Sequence, residues 1–412
     1  MKPTASSLSP SIAAMARPAD AGRPTLGLLY VWCTPVVASM ATFPDLTIAG
    51  MLYTGWMWVL LLLIGVALLA VELVFHRETR IHFRWGPWAV WVGYLWLSLA
   101  WCETLDRRNL QDALQTSMPV LLGVLGSVFV RREEHLRGLL RAFAITLVPL
   151  AVVVLMPHLV KSLATEAFLS NRSAGLLAAL IAAVLIAGYP PRLLPAMLGW
   201  AACGVLIAIT GSRMAGLAAM LVVAVHPWYT NRWQRFGAML LPVVCMVVVF
   251  NSSAFQERSF YGGSGSLSDL ADGDVNTSGR FEVWPSIWEA AWKQPVLGHG
   301  IGSASAFVAS VWPDMAHPHN DYLRVGFELG LVGLALLVSV AGWQMIDLYR
   351  KMRGTEGVLR QGLIASFLGL AVLMIVAATD NALVYNLLVT DPLFVLIGAT
   401  YGTLGQRPGV AR

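Results

Sequence analysis

Residues 54–75 read TGWMWVLLLLIGVALLAVELVF, an apolar run interrupted by one carboxylate, Glu72. A helix crossing the ~30 Å hydrocarbon core needs roughly 20 mostly apolar residues, and backbone in lipid must satisfy its own hydrogen bonds. This stretch therefore reads as a spanning helix. Working outward, eleven further stretches read the same way: 26–43, 85–102, 113–130, 142–157, 173–189, 193–209, 211–226, 237–250, 327–346, 362–378 and 388–404. None shows the alternating, roughly ten-residue pattern of a membrane barrel. The expected fold is all-α and polytopic, with about 12 transmembrane helices. The expected organisation is a tail at 1–24, spans one to nine within 25–250, an outer loop domain at 251–326, spans ten to twelve within 327–404, and a tail at 405–412.

Composition agrees. Of 412 residues, 57% are hydrophobic and 12% charged, about half the charged share of a soluble domain, and mean hydropathy is +0.67. These values exclude a water-soluble enzyme, a disordered regulator and a disulfide-stapled secreted domain. With the N-terminus inside, nineteen of the 28 basic residues fall on inner segments and nine outside, as the positive-inside rule requires for two cytoplasmic termini. The net charge of +5 is thus a topology signal, and no nucleic-acid partner is expected. Residues 1–24 lack the apolar core of a signal peptide, so the first span is expected to be an uncleaved anchor. Cys33, Cys102, Cys203 and Cys245 lie in or beside apolar runs without C-x-x-C spacing and read as small buried side chains. There is no Walker-type phosphate loop, fixed-period repeat or cofactor motif, so no cofactor is expected.

The loop at 251–326 departs from this pattern. Its first part is rich in Gly, Ser and Asp; Asp269, Asp272 and Asp274 lack the terminal Glu of a calcium-binding EF-hand and read as a solvated loop. From Arg280 follows RFEVWPSIWEAAWKQ, which puts Trp284, Trp288 and Trp292 on one helical face. Three indoles suit the headgroup zone; they either pack this helix on the bundle or border a lipid entrance. Gly298, Gly300 and Gly302 come next, then His317-Pro318-His319-Asn320-Asp321. Asn320 or Asp321 can cap the helix that leads inward. A His-Pro-His turn is commonly just a surface turn, but this one lies at a membrane boundary beside carboxylates.

Two arginines at the edges of spans stand out, since charge at membrane depth is costly and usually marks function. Arg172 begins the sixth span and Arg213 lies in the tight turn before the eighth. A helix N-terminus favours an anion, and the guanidinium fork matches phosphate. With Arg280, three cations are available to one anionic headgroup. Alternatively each pairs with an outer carboxylate such as Glu166, Asp380 or Asp391.

These motifs, in this order, resemble the O-antigen ligase and polymerase superfamily of bacteria, and its O-antigen ligases in particular. That family's signature is His followed by Asn, Ser or Gln, nine residues, and Gly-x-x-small; His319-Asn320 and Gly330-Leu331-Val332-Gly333 match it. Its Arg-x-x-x-Leu motif is matched by Arg213 to Leu217, and Pro295, Gly298, Gly300 and Gly302 are similar to the segment before the family histidine. The resemblance implies a GT-C-like membrane glycosyltransferase of the bacterial inner membrane, with its active site facing the periplasm. It implies transfer of O-antigen from undecaprenyl diphosphate to a sugar hydroxyl of lipid A–core in lipopolysaccharide biosynthesis, inverting and independent of metal. In that scheme His319 is the base, since a histidine near neutrality suits the role. Arg213, with Arg280 and Arg172, holds the diphosphate, which leaves without needing a general acid. Asn320 orients the histidine or caps the helix, and His317 supports or merely completes the turn. The expected partners are the lipid-linked donor, lipid A–core and the bilayer, with no obligate protein partner.

Two rivals share the superfamily, an O-antigen polymerase and an O-linked protein oligosaccharyltransferase; the latter is typically longer, whereas this chain ends shortly after its last apolar stretch. A lipid-linked oligosaccharide flippase or other transporter is the rival of another class. Transporters commonly show two related halves, which this sequence lacks.

Overall fold

The computed structural model describes residues 25–407, apart from 44–46, 49–50, 77–78, 161–170, 189–192, 230, 267, 270–275, 277–278, 314 and 316. The expected tail at 1–24, the end of the tail at 405–412, and Glu166, Asp272 and Asp274 lie outside the described residues. Among the described residues, fifteen α-helices follow in order: α1 (Leu26–Met40), α2 (Tyr53–Phe75), α3 (Trp85–Leu97), α4 (Arg107–Phe129), α5 (Glu133–Leu159), α6 (Arg172–Ile186), α7 (Leu193–Thr210), α8 (Arg213–Ala224), α9 (Arg232–Phe250), α10 (Ser253–Ser259), α11 (Arg280–Ala291), α12 (Ser303–Val311), α13 (Asp321–Met352), α14 (Gly357–Val376) and α15 (Thr390–Leu404). A two-residue hairpin, Thr47–Ile48 against Met51–Leu52, joins α1 to α2.

Every apolar stretch identified in the sequence coincides with a helix. Five of these helices, α2, α4, α5, α13 and α14, are long and apolar enough to cross a membrane; α1, α6, α7 and α8 are apolar but shorter. A helix of 12–15 residues covers only about 18–22 Å, so by helix length and composition five of the twelve expected spans, among the described residues, are long and apolar enough to cross. Hydropathy runs on through turns that end a helix: the 85–102 stretch passes from α3 into a 3-10 turn at Ser98–Trp101. Polar helix ends escape the same measure. α4 begins at Arg107 because Asp106 accepts from the Arg108 and Asn109 backbone N–H groups at 2.8 and 3.0 Å while Asn109 returns a bond to Asp106, a capping box. α5 begins with Glu133 and Glu134, where the helix dipole favours acids.

The Ala- and Leu-rich α6 is the centre of the bundle, its residues from Ala174 to Val184 all buried. It packs on α5, α7, α8 and α14. In lipid, helices associate through close packing and not through water exclusion, and α4 and α15 meet that requirement with small residues. A Cβ on Gly398 would lie 1.9 Å from Gly123 O, and one on Gly126 would lie 2.4 Å from Val395 O. Any side chain at either point would push the two helices apart.

α13 is two helices in one line. At Gly330 the backbone takes φ 64° and ψ −170°, a conformation nearly confined to glycine. The strap before α12 fills the break: Leu331 N–H donates to Pro295 O at 2.8 Å, and His299 and Gly300 N–H groups donate to Phe327 O and Glu328 O at 3.0 and 2.7 Å. α13 therefore starts at Asp321, inside the segment expected to be loop up to 326, and its apolar stretch is interrupted. The two backbones come so close that a Cβ on Gly330 would lie 2.2 Å from Val296 O, and one on Gly298 would lie 2.4 Å from Gly330 N.

Candidate active site

Four helices begin around one region, and three of them begin with the arginines picked from the sequence. Arg172 is the first residue of α6, capped by Asn171 through the Ala174 N–H at 3.2 Å. Arg213 opens α8 after a turn at Gly211 with φ 66°. Arg280 opens α11 after Gly279 with φ 78°. Arg213 lies within electrostatic reach of both Arg280 and Arg172. The three come from distant parts of the chain and converge.

Of these arginines, Arg213 makes its hydrogen bonds to groups other than the carboxylates considered above. Arg213 donates to Ser259 Oγ at 3.3 Å and to Asn276 O at 3.1 Å, neither of them a carboxylate. Arg280 Nε is buried and has no hydrogen-bond partner among the described residues. Burial lowers the Arg280 pKa first, with the Arg172 charge adding to this, against an upward pull from Asp380. Asp391 is fully buried at the start of α15, its carboxylate without a hydrogen-bond partner among the described residues.

The fourth helix is α13. Asn320 caps it, its Oδ1 accepting from Leu323 N–H at 2.9 Å, so capping is the role the structure gives this side chain. His319, just before it, is the one non-glycine residue with positive φ, 53°, among the described residues. A non-glycine residue there is uncommon and strained placements cluster at functional sites. The turn is held from two sides. Trp284 Nε1 donates to Pro318 O at 2.8 Å, and His317 Nδ1 lies 2.9 Å from Ser305 Oγ. Burial pushes the His317 imidazole down to about 3, with help from Arg324, Arg108 and His319, so at neutral pH it is an uncharged hydrogen-bonding group.

Facing His319 is the loop between α14 and α15. His319 Nδ1 is 3.5 Å from Asp380 Oδ1 and 3.0 Å from the Asn381 side-chain nitrogen. Burial raises the Asp380 carboxyl, but bonds from His319 and the Asn381 N–H, with the Arg280 charge, outweigh it and leave the pKa below the usual value. Asp380 thus joins the histidine to the arginine cluster. The loop itself is clamped by Asp321, whose N–H donates to Ala377 O and whose Oδ2 accepts from Leu383 N–H, both at 2.8 Å.

Behind the turn lies an ion cluster in which Arg324 and Glu328 are buried and Asp112 is partly so. Arg324 Nε is 3.3 Å from Glu328 and its Nη2 is 3.5 Å from Asp112. Glu328 also accepts from the Ala304 N–H that starts α12. The cluster locks α4, α12 and α13 together. The three tryptophans divide: Trp284 holds the turn, whereas Trp288 and Trp292 are about half exposed and meet edge to face at 5.5 Å. A small apolar recess of about 30 Å³ lies among Trp88, Trp91, Tyr322, Met374 and Phe394, next to the start of α13. Among the described residues no three His, Cys, Asp or Glu side chains are grouped as metal ligands.

Sequence reading missed Asp380 as a partner of His319, along with Asn381, Asp321 and the Arg324 cluster. The available signal was a polar Asp-Asn pair between two long apolar runs, visible only once the loop was known to face the histidine.

Fold and site together define a polytopic all-α membrane protein that gathers arginines at helix N-termini beside a strained, carboxylate-paired histidine. Residues 198–338, about a third of the chain, match the family model described as O-antigen ligase. Members of that family are glycosyltransferases of lipid-linked glycans. The matched segment runs from α7 into α13 and includes Arg213, Arg280, His317, His319 and Asn320; Arg172, Asp380 and Asn381 lie outside it. No curated protein matches the chain.

Proposed function

We propose that this protein is a metal-independent, inverting glycosyltransferase of the inner membrane that moves an O-antigen glycan from undecaprenyl diphosphate to a sugar hydroxyl of lipid A–core, on the periplasmic side. The observation that carries the reading is the connection of His319, through Asp380, to Arg280 and so to Arg213 and Arg172. Asp380 accepts from Nδ1–H of His319, which leaves Nε2 to take the proton of the acceptor hydroxyl. The Asn381 side chain serves the same tautomer with its amide turned end for end, bringing its otherwise unpartnered Oδ1 to Nδ1–H. The acceptor oxygen then bonds to the anomeric carbon as the bond from that carbon to the diphosphate oxygen breaks. The electron pair leaves with the diphosphate, whose added charge meets the three arginines.

Arg280 Nε, buried without a partner among the described residues, supports this assignment, since such a group costs free energy until an acceptor arrives. The test is transfer from a polyprenyl-diphosphate glycan to purified lipid A–core, run beside a protein acceptor and the non-reducing end of the glycan itself. Product on lipid A–core is expected. Product only on protein would make it an oligosaccharyltransferase, and chain growth alone a polymerase.

A further inference from the structure

At the opposite end of α13 from His319 the chain builds a second cationic recess. Tyr349, Met352 and Arg353 at the end of α13, Arg360 and Ile364 in α14, and Pro227 after α8 line a recess of about 80 Å³ that opens to solvent. Along α13, Tyr349 is about 40 Å from Asp321 at 1.5 Å per residue, so this recess is separate from the candidate active site. Two guanidiniums are stacked into place. Arg360 lies over the Trp228 ring at 3.7 Å and Arg353 over Tyr349 at 4.8 Å, with a bond from Arg353 Nη2 to the Tyr349 hydroxyl at 3.1 Å. Arg235, held by its Nε–H to Tyr229 O at 3.2 Å, is within electrostatic reach of the same hydroxyl.

No carboxylate lines the recess, and Arg360 Nε is buried there without a hydrogen-bond partner among the described residues. Glu356, which precedes α14, is exposed and makes no capping bond to the helix N-terminus. Stacking on an aromatic face leaves the edge N–H groups of a guanidinium free for a phosphate. By the distribution of basic residues this end lies at the cytoplasmic surface, where basic pockets between helices meet anionic headgroups.

We propose that Arg353, Arg360 and Arg235 form a phosphate-binding site for the headgroup of an anionic phospholipid of the inner leaflet. The shared chemistry is a phosphate oxygen on two aromatic-stacked guanidiniums, and a soluble phosphate could also provide it. Detergent-purified full-length protein is titrated with cardiolipin and, separately, with phosphatidylcholine, and bound lipid is counted by native mass spectrometry. Cardiolipin is expected to bind in preference, and Arg353→Gln to weaken it about tenfold, the scale of a lost charge-assisted contact. Arg132→Gln, which removes an exposed arginine paired with Glu134, should leave it unchanged. Because Arg353 is exposed, its substitution leaves the core intact; Arg360→Gln is read only if its unfolding temperature matches wild type. Displacement of cardiolipin by millimolar inorganic phosphate would assign the site to the soluble anion, and no displacement to the lipid. Equal binding of the two lipids, or unchanged cardiolipin binding in Arg353→Gln, overturns the proposal. The readout is independent of glycosyl transfer.

Discussion

Gly330→Ala tests the join between fold and site most directly. The added Cβ falls 2.2 Å from Val296 O and 2.7 Å from Gly298 N, at φ 64° and ψ −170°. Alanine in that conformation costs about 1–3 kcal/mol. Relieving the contact moves the strap by about 1 Å, given ordinary contact distances of about 3.5 Å, and weakens the bonds from Leu331 and Val332 N–H to Pro295 and Val296 O, of 2.8 and 3.3 Å. Each such bond contributes about 1 kcal/mol, so the expected total is about 3–5 kcal/mol. Alanine also favours a continuous helix, which would re-aim the short half of α13 that carries the His319 turn. Gly342→Ala in the same helix meets nothing within 4 Å and should stabilise by about 0.4–1 kcal/mol. Thermal unfolding of the purified protein and its two variants, with transfer activity measured alongside, should move in opposite directions. If Gly330→Ala unfolds at the wild-type temperature and transfers glycan at the wild-type rate, the broken helix is not what positions the histidine.

The remaining expectations follow from the site. His319→Ala should lower turnover about 10²–10⁴-fold, the scale of general base catalysis, while donor binding measured separately persists; retained turnover would remove His319 as the base. Asp380→Asn should lower turnover without altering membrane insertion, and because the Asp380 pKa is depressed, the stability it contributes holds above the ordinary carboxylate range and is lost only as pH falls below it. An acid limb in the rate profile above about pH 4 therefore belongs to another group, and its disappearance in Asp380→Asn would contradict this. Arg280→Gln should cost about 10²–10³-fold in rate and Arg280→Lys less, with chelators leaving wild-type activity unchanged; dependence on a divalent ion would replace the arginine account. His317, held neutral down to about 3, should make the protein less stable as pH falls from about 6.5 toward that value, since only the unfolded chain gains the proton. In His317→Gln this slope should flatten.

How much of this could be read from the chain alone follows from what each feature depends on. Apolar runs are local, so α2 and α15 were legible to within about two residues at each end. Helix ends set by capping were not: the α4 start depends on Asp106 and Asn109, polar residues that a hydropathy window discards. The arginines were legible as chemistry because each begins a helix, a local fact. Their convergence was not, since it depends on how α6, α8 and α11 pack. Asp380 shows the same limit from the other side, as it was named only as a partner for an arginine. The structure gives it both partners, His319 by contact and Arg280 by charge.

The strained turn suggests why the signature spacing takes the form it does. His319 is held at positive φ by a helix start that cannot slide: Asn320 caps α13, Asp321 ties the first turn to the Asp380 loop, and Arg324 and Glu328 bury the next turn in an ion cluster. Gly330 then ends this short helix against the strap, so the half-helix is fixed at both ends before the long apolar segment begins. The interval from histidine to glycine is the length of that half-helix. An insertion of one residue between Asp321 and Gly330 would turn the following face by about 100°, as each residue does at 3.6 per turn, and would break either the cap or the strap. A one-residue alanine insertion after Val325 is expected to abolish transfer while leaving membrane insertion intact. The same insertion after Gly342, beyond the break, should leave the histidine in place and affect packing with α14 instead. Equal activity loss with equal destabilisation in both insertions would show that the spacing serves the bundle and not the site.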